Sequence, residues 1–133
     1  MNFLIDTNIC IYIMNNQPVE VIQRFKHFDV GDLGVSSITV SELQYGVAKS
    51  QQQKENQQRL NEFLVPFAVL PYDALAAKHY GELRAHLEKN GDLIGPLDML
   101  IAAHALSREL VLVSNNGREF ERVPDLKVEN WVA

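Results

Sequence analysis

Apolar residues along the chain fall into short runs, separated by longer segments in which they recur every three or four positions. That alternation is the pattern of buried strands interleaved with amphipathic helices. Phe3-Leu4-Ile5 reads as the first strand, ended by Asp6. A helix starts over Ile9 to Met14 and is broken by Asn15-Asn16-Gln17-Pro18. Pro18 then opens a second helix, with Val19, Ile22 and Phe25 on one face. Beyond a loop at Gly31 to Gly34, Leu33 to Ser37 reads as the second strand, feeding a helix over Val40 to Lys49. The polar run from Ser50 to Asn61 reads as an exposed helix continuing to Leu64, because Leu60, Phe63 and Leu64 give it an apolar edge. Phe67 to Leu70 is the third strand. Pro71-Tyr72-Asp73 turns into a long helix in which Leu75, Ala76, His79, Leu83, His86 and Leu87 recur at helical spacing. Asn90-Gly91-Asp92 ends that helix. Gly95-Pro96 opens the last major helix, through Leu97, Leu100, Ile101, His104 and Ala105. Leu110 to Val113 is the fourth strand, followed by the loop Ser114 to Gly117, and Leu126 to Val128 reads as a short edge strand. The alternation predicts an α/β fold with a central, mostly parallel sheet of four to five strands flanked by helices. No repeat or linker interrupts it, so residues 1–133 read as a single domain.

Length and composition narrow the class. At 133 residues with 47% apolar side chains, the chain can bury roughly two-thirds of its unfolded surface in one core without covalent staples. Cys10 is the only cysteine, so no disulfide framework exists. The start, MNFLIDTNIC, lacks the basic opening and apolar run of a signal peptide. No stretch reaches the about 18 apolar residues that a membrane helix requires. A cytoplasmic protein with no membrane partner is expected. The net charge of −5 argues against a domain that grips long duplexes by neutralising phosphates. It suits a compact acidic site whose charge a divalent cation offsets.

The candidate chemistry lies in carboxylates. In open α/β sheets, ligand sites gather outside the carboxyl ends of the strands. Asp6 ends the first strand there, and the loop Ser114-Asn115-Asn116 leaves the fourth strand on the same edge. The helix after the second strand bears Glu42, and Asp98 lies in the first turn of the helix opened by Gly95-Pro96. Three carboxylates and an amide converging on one pocket form a set of hard oxygen donors. Such sets suit Mg²⁺, with Mn²⁺ as a substitute. Thr7, Asn8 and Ser114 are candidates for orienting the carboxylates. Arg118 and Arg122 are candidates for phosphate contact.

Each residue also has an ordinary reading. Thr39-Val40-Ser41-Glu42 matches a capping box, in which Glu42 only satisfies a backbone donor. Asp98 can interact with its helix macrodipole, and Asp6-Thr7-Asn8 can be an N-cap. His104 sits on an apolar helix face, as a packed or hydrogen-bonded structural residue would. His79 and His86 share a face two turns apart with no cysteine nearby, which is a poor zinc pair. Cys10 reads as a small buried hydrophobe, and Tyr12, Tyr45 and Phe63 as core or interface residues. A phosphatase of the haloacid dehalogenase type would need an aspartate where Asn8 stands, and no glycine-rich phosphate loop follows the first strand. A non-catalytic binding domain is the remaining alternative from another class. Loss of the carboxylates would be its mark, and three are present.

The segments LIDTNICIYIM (4–14), ITVSELQYG (38–46), IGPLDMLIAAHA (94–105) and VSNNGREFERV (113–123) resemble the four signature segments of PIN-domain toxins, most closely the VapC family of toxin–antitoxin ribonucleases. The resemblance runs through nearly the whole chain, in order. It implies a PIN-like three-layer fold and a magnesium-dependent endoribonuclease that cleaves structured RNA by metal-assisted attack of water. It further implies tRNA as substrate, at the anticodon loop, with the initiator tRNA as one candidate, and inhibition of translation. A VapB-type antitoxin that neutralises the toxin, a homodimer and a higher assembly with the antitoxin are implied as well. Position by position, Asp6 and Asp98 resemble the family's principal metal ligands, and Glu42 its further acidic site residue. The chain departs at Asn116, where many relatives carry an aspartate; Glu119 is the candidate to supply the fourth carboxylate.

Overall fold

The computed structural model describes residues 2–132. Twelve elements follow in the order β1 (Phe3–Ile5), α1 (Thr7–Met14), α2 (Val19–Phe25), β2 (Leu33–Ser36), α3 (Ser37–Ala48), α4 (Gln53–Leu64), β3 (Ala68–Leu70), α5 (Ala74–Lys89), α6 (Pro96–Ser107), β4 (Val111–Val113), α7 (Gly117–Phe120) and β5 (Val128–Glu129). The five strands form one sheet in the order β3-β2-β1-β4-β5, and every neighbouring pair is parallel. The α/β class and the central parallel sheet flanked by helices are therefore as expected. From β1 the chain winds outward through β2 and β3, then returns to lay β4 on the other side of β1. The order reverses between β1 and β4, and in such sheets that reversal opens a crevice at the carboxyl edge.

Side-chain alternation along the strands splits the interior into two layers, one on each face of the sheet. Leu4 and Leu112 point into a cluster with Leu83, Leu87, Met99, Ile101, Phe120 and Val123. Ile5, Val35 and Val113 point the other way, to Ile9, Ile13, Val21, Leu43, Leu60 and Trp131. Helices α5 and α6 cover the first face; α1, α2 and α4 cover the second, and together with the sheet they make three layers.

Several boundaries move, each for a local reason. In α2 the buried residues are Val21 and Ile22, whereas Val19 is exposed, so the inward face is rotated from the one expected. Helix α3 begins at Ser37, earlier than Val40, because the Ser36 hydroxyl caps it by accepting from the Ile38 N–H at 3.0 Å. Leu75 and Leu97 follow helical spacing yet are exposed. The last strand is displaced to Val128–Glu129. The short helix α7 was not foreseen; fully buried Phe120 anchors it to the core. His104 is the hydrogen-bonded structural residue expected: it is fully buried, and its Nδ1 lies 2.8 Å from Ser36 Oγ. Cys10 is fully buried, and burial pushes its thiol well above the ordinary value. Among the described residues, no helix is long and apolar enough to cross a membrane.

Candidate active site

Asp6 closes β1 at the reversal point, its own N–H donating to the Val113 carbonyl of β4 at 3.0 Å. Its side chain caps α1, Oδ1 accepting from the Ile9 N–H at 2.9 Å. The N-cap reading is thus correct for one oxygen, and it does not compete with a site role. The cap sets the carboxylate's orientation, and the residue is 95% buried. Burial raises its pKa, opposed by hydrogen bonds from Ser114 and Ile9, and the Glu42 charge adds a smaller upward push. Burial, more than its neighbour's charge, thus disfavours the ionised form of Asp6.

Glu42 stands in the second turn of α3, so the capping-box reading fails: the helix starts at Ser37 and is capped by Ser36. Its carboxylate Oε1 accepts from the Thr7 hydroxyl at 2.6 Å. Thr7 Oγ1 also lies 3.3 Å from the buried Thr39 Oγ1. Thr7 has one hydroxyl proton, and the shorter contact to a charged acceptor takes it. Thr39 and Thr7 thereby form a relay that holds Glu42 over the start of α1.

Asp98 lies in the first turn of α6, which Gly95 caps and Pro96 opens. Its carboxyl is pushed up to about 6, first by burial, then by the charge of Glu119 and a hydrogen bond with it, and more weakly by Asp6 and Glu42. Glu119 goes the other way. The Gly95 N–H donates to its Oε1 at 2.5 Å, and the Asn116 amide donates to its Oε2 at 2.5 Å. These donors lower its pKa, the backbone donor most. The two carboxyl groups thus titrate unequally, Asp98 holding its proton to higher pH because Glu119 already has donors for its charge. Gly95 borders both carboxyl groups at ordinary contact distance. A Cβ there would sit 3.4 Å from Glu119 Oε1 and 3.5 Å from Asp98 Oδ2.

Of the remaining candidates, Ser114 is buried and hydrogen-bonded to Asp6, and its hydroxyl accepts from the Asn116 N–H at 2.9 Å. Asn116 is drawn to Glu119. Asn8 is exposed and makes no side-chain hydrogen bond among the described residues. Arg122 donates to the Leu93 carbonyl at 3.0 Å, and its charge helps to keep Glu119 ionised. Arg118 is exposed and forms no ion pair among the described residues. Sequence reasoning missed the Gly95 N–H as a donor, and also the link from Asn115 to the Tyr12 hydroxyl at 2.7 Å. Neither contact has a local sequence signal, since the partners are 24 and 103 positions apart.

The donors fit a hard divalent cation. Four carboxylates act on one another, and the ion pairs among the described residues, Arg24 with Glu129 and Arg84 with Glu88, lie outside the set. No three of them already crowd one point among the described residues. Asp98 and Glu119 do stand side by side, and Mg²⁺ commonly needs only one or two carboxylates, completing its shell with water. A cavity of about 580 Å³ lies elsewhere, among His79, Leu83, Ala105, Leu110 and Leu126 near the opposite sheet edge. None of the four carboxylates lines it. Without a carboxylate of the acidic set in its lining, that space is no rival to the acidic edge for a metal-dependent reaction.

Comparison with known proteins points the same way. The family model described as PIN domain matches residues 3–126. The chain is 46% identical over 131 residues to the tRNA(fMet)-specific endonuclease VapC of Shigella flexneri, covering 98% of both chains. It is 47% identical over 132 residues to Ribonuclease VapC2 of Haemophilus influenzae, covering 99% of both. Among solved structures, DNA-bound VapBC from Salmonella typhimurium superimposes with a TM-score of 0.93 at 43% identity, covering 98% of each chain.

Proposed function

The chain belongs to the PIN-domain family, within its VapC ribonucleases, and from that premise we propose that it is the toxin of a VapBC-type pair, a Mg²⁺-dependent endoribonuclease that cleaves the initiator tRNA in its anticodon loop. The observation that carries the reading is the convergence of Asp6, Glu42, Asp98 and Glu119 at the sheet's reversal point, with Asp98 pushed up to about 6 by burial first and by its acidic neighbours second. A site that raises a carboxyl pKa in this way stores a demand for positive charge.

Asp98 and Glu119, side by side, would hold the cation, Asp6 would add its charge from the base of the site, and Glu42 would orient water from its place on Thr7. A divalent cation there supplies a more acidic water and neutralises charge on a phosphoryl oxygen. Asp6 is already fixed by its cap and by Ser114, and Asn116 keeps Glu119 turned toward Asp98. This replaces the fourth aspartate of many relatives with an amide and a glutamate acting as a unit. Among the described residues, no side chain stands ready as a nucleophile. Cys10 is buried with its thiol pushed up, Thr7 donates to Glu42, and Ser114 is tied to Asp6. Direct hydrolysis would leave a 5′-phosphate and a 3′-hydroxyl. Arg118, exposed and in no ion pair among the described residues, is the candidate contact for a substrate phosphate.

The tRNA assignment rests on the name of the Shigella relative, and the antitoxin on the VapBC composition of the Salmonella complex. The acidic cleft suits a basic antitoxin side chain, which would compete with the metal. A cytoplasmic homodimer, joined by a VapB-type antitoxin in a larger assembly, completes the proposal. The test is sequencing of RNA 5′-ends after brief expression of wild type and of Asp98→Ala. A single dominant new end in one tRNA, absent from the variant, is expected. Identical profiles from the two would sink the reading.

A further inference from the structure

The loop that joins β4 to α7 sends three consecutive side chains to three different places. Ser114 bonds Asp6 at the base of the site. Asn116 donates to Glu119. Asn115, between them, is exposed, yet its amide spans to α1 and donates to the Tyr12 hydroxyl at 2.7 Å. Tyr12 is half-buried and packs against the cluster that contains Ile9 and Ile13. Because Asp6 caps α1, the loop is joined to that helix twice. The first joint is at Asp6, and the second is six residues further on, roughly 9 Å along the helix axis. One joint would let the loop pivot about Ser114; two joints remove that rotation. The residue whose orientation is thereby decided is Asn116, which holds Glu119.

We propose that Tyr12 and Asn115 are positioning residues of the active site: their hydrogen bond fixes the β4–α7 loop against α1, so that Asn116 presents Glu119 beside Asp98. The inference rests on the catalytic reading above and adds two residues that touch neither metal nor substrate. A bond between exposed or half-buried partners contributes modestly to stability. Misplacement of a reacting group by about 1 Å, however, can cost a rate about 100-fold. The signature is a catalytic defect much larger than the folding defect.

Tyr12→Phe removes only the hydroxyl, and Asn115→Ala removes its partner. Each is expected to lower kcat by about tenfold or more with little change in KM. The double variant should be no worse than either single one, because both break the same link. Direct Mn²⁺ binding, followed by electron paramagnetic resonance without RNA, should weaken several-fold in both variants, while thermal unfolding stays near wild type. A higher KM with kcat and Mn²⁺ binding unchanged would mean that the Tyr12 hydroxyl contacts RNA, and would overturn the proposal. Additive defects in the double variant would overturn it as well. Asp98→Asn serves as the control. If wild type and Asp98→Asn cleave alike, the catalytic reading itself fails; if only the tether variants match wild type, the positioning inference alone fails.

Discussion

At the scale of single residues the site is governed by an unequal pair of carboxyl groups. Asp98 has its carboxyl raised to about 6, whereas Glu119 is held ionised by the Gly95 N–H and the Asn116 amide. The folded chain therefore keeps a proton on Asp98 at pH values where the unfolded chain, with a carboxyl near 3.8, has released it. A raised carboxyl contributes stability that is fully present below the unfolded value and is lost as pH rises through about 6. In chelator, unfolding by denaturant should thus show wild type losing stability relative to Asp98→Asn between pH 4 and 7. His104, held neutral by burial, acts in the opposite direction, so the difference between the two proteins carries the test. Metal binding must displace the same proton. Calorimetry in buffers of different ionisation enthalpy should detect proton release on Mg²⁺ binding near pH 6 and none near pH 8. Cleavage by Asp98→Asn should fall about a thousandfold or more, since several kcal/mol of charge stabilisation are removed.

At the scale of elements, the acidic residues are placed by helix termini. Asp6 is both the cap of α1 and a site carboxylate, and these roles can be separated. Asp6→Asn retains an acceptor for the Ile9 N–H and removes the charge that burial disfavours. Asp6→Ala loses the cap, at about 1 kcal/mol. Chemical denaturation in chelator should find Asp6→Asn at least as stable as wild type and Asp6→Ala less stable, while both lose cleavage. Equal destabilisation of the two would show that the cap contributes nothing. Helix α7 is too short to persist alone. It exists because Phe120 is buried in the core beside Val123, which places Glu119 a residue away from a rigid anchor. Helix α3 is held at its start by Ser36, whose hydroxyl also meets His104 of α6. The helices bearing Glu42 and Asp98 are thereby tied together at β2.

At the scale of the whole molecule, the net charge of −5 and the acidic edge suit a protein that cuts one small RNA rather than coating a duplex. Several large apolar side chains remain exposed, among them Val69 on the edge strand β3 and Leu75 at the start of α5. With no partner, such surface favours self-association. Light scattering at high concentration is expected to report a dimer, and a strict monomer would count against the proposed assembly. Addition of a VapB-type antitoxin should suppress both cleavage and Mn²⁺ binding if a basic side chain enters the cleft.

The alternation of apolar runs and amphipathic segments was enough to determine the α/β class, the strands β1 to β4 within a residue or two, and the polar helix α4. Those features depend on local periodicity and on turn residues such as Asn90 and Gly91. Asp6 and Asp98 were legible for the same reason, each standing at the end of a recognisable element. Tertiary structure decided the rest. Glu42 matched a capping box by spacing, and only the earlier start of α3 at Ser37 frees it for Thr7. The role of Glu119 depends on a backbone donor 24 positions away, and the Tyr12–Asn115 tether on a contact across 103. No periodicity encodes such pairs, because they are created when β4 is laid beside β1 and the chain's order reverses. The sequence by itself determined which carboxylates were available; the parallel sheet decided which would stand side by side.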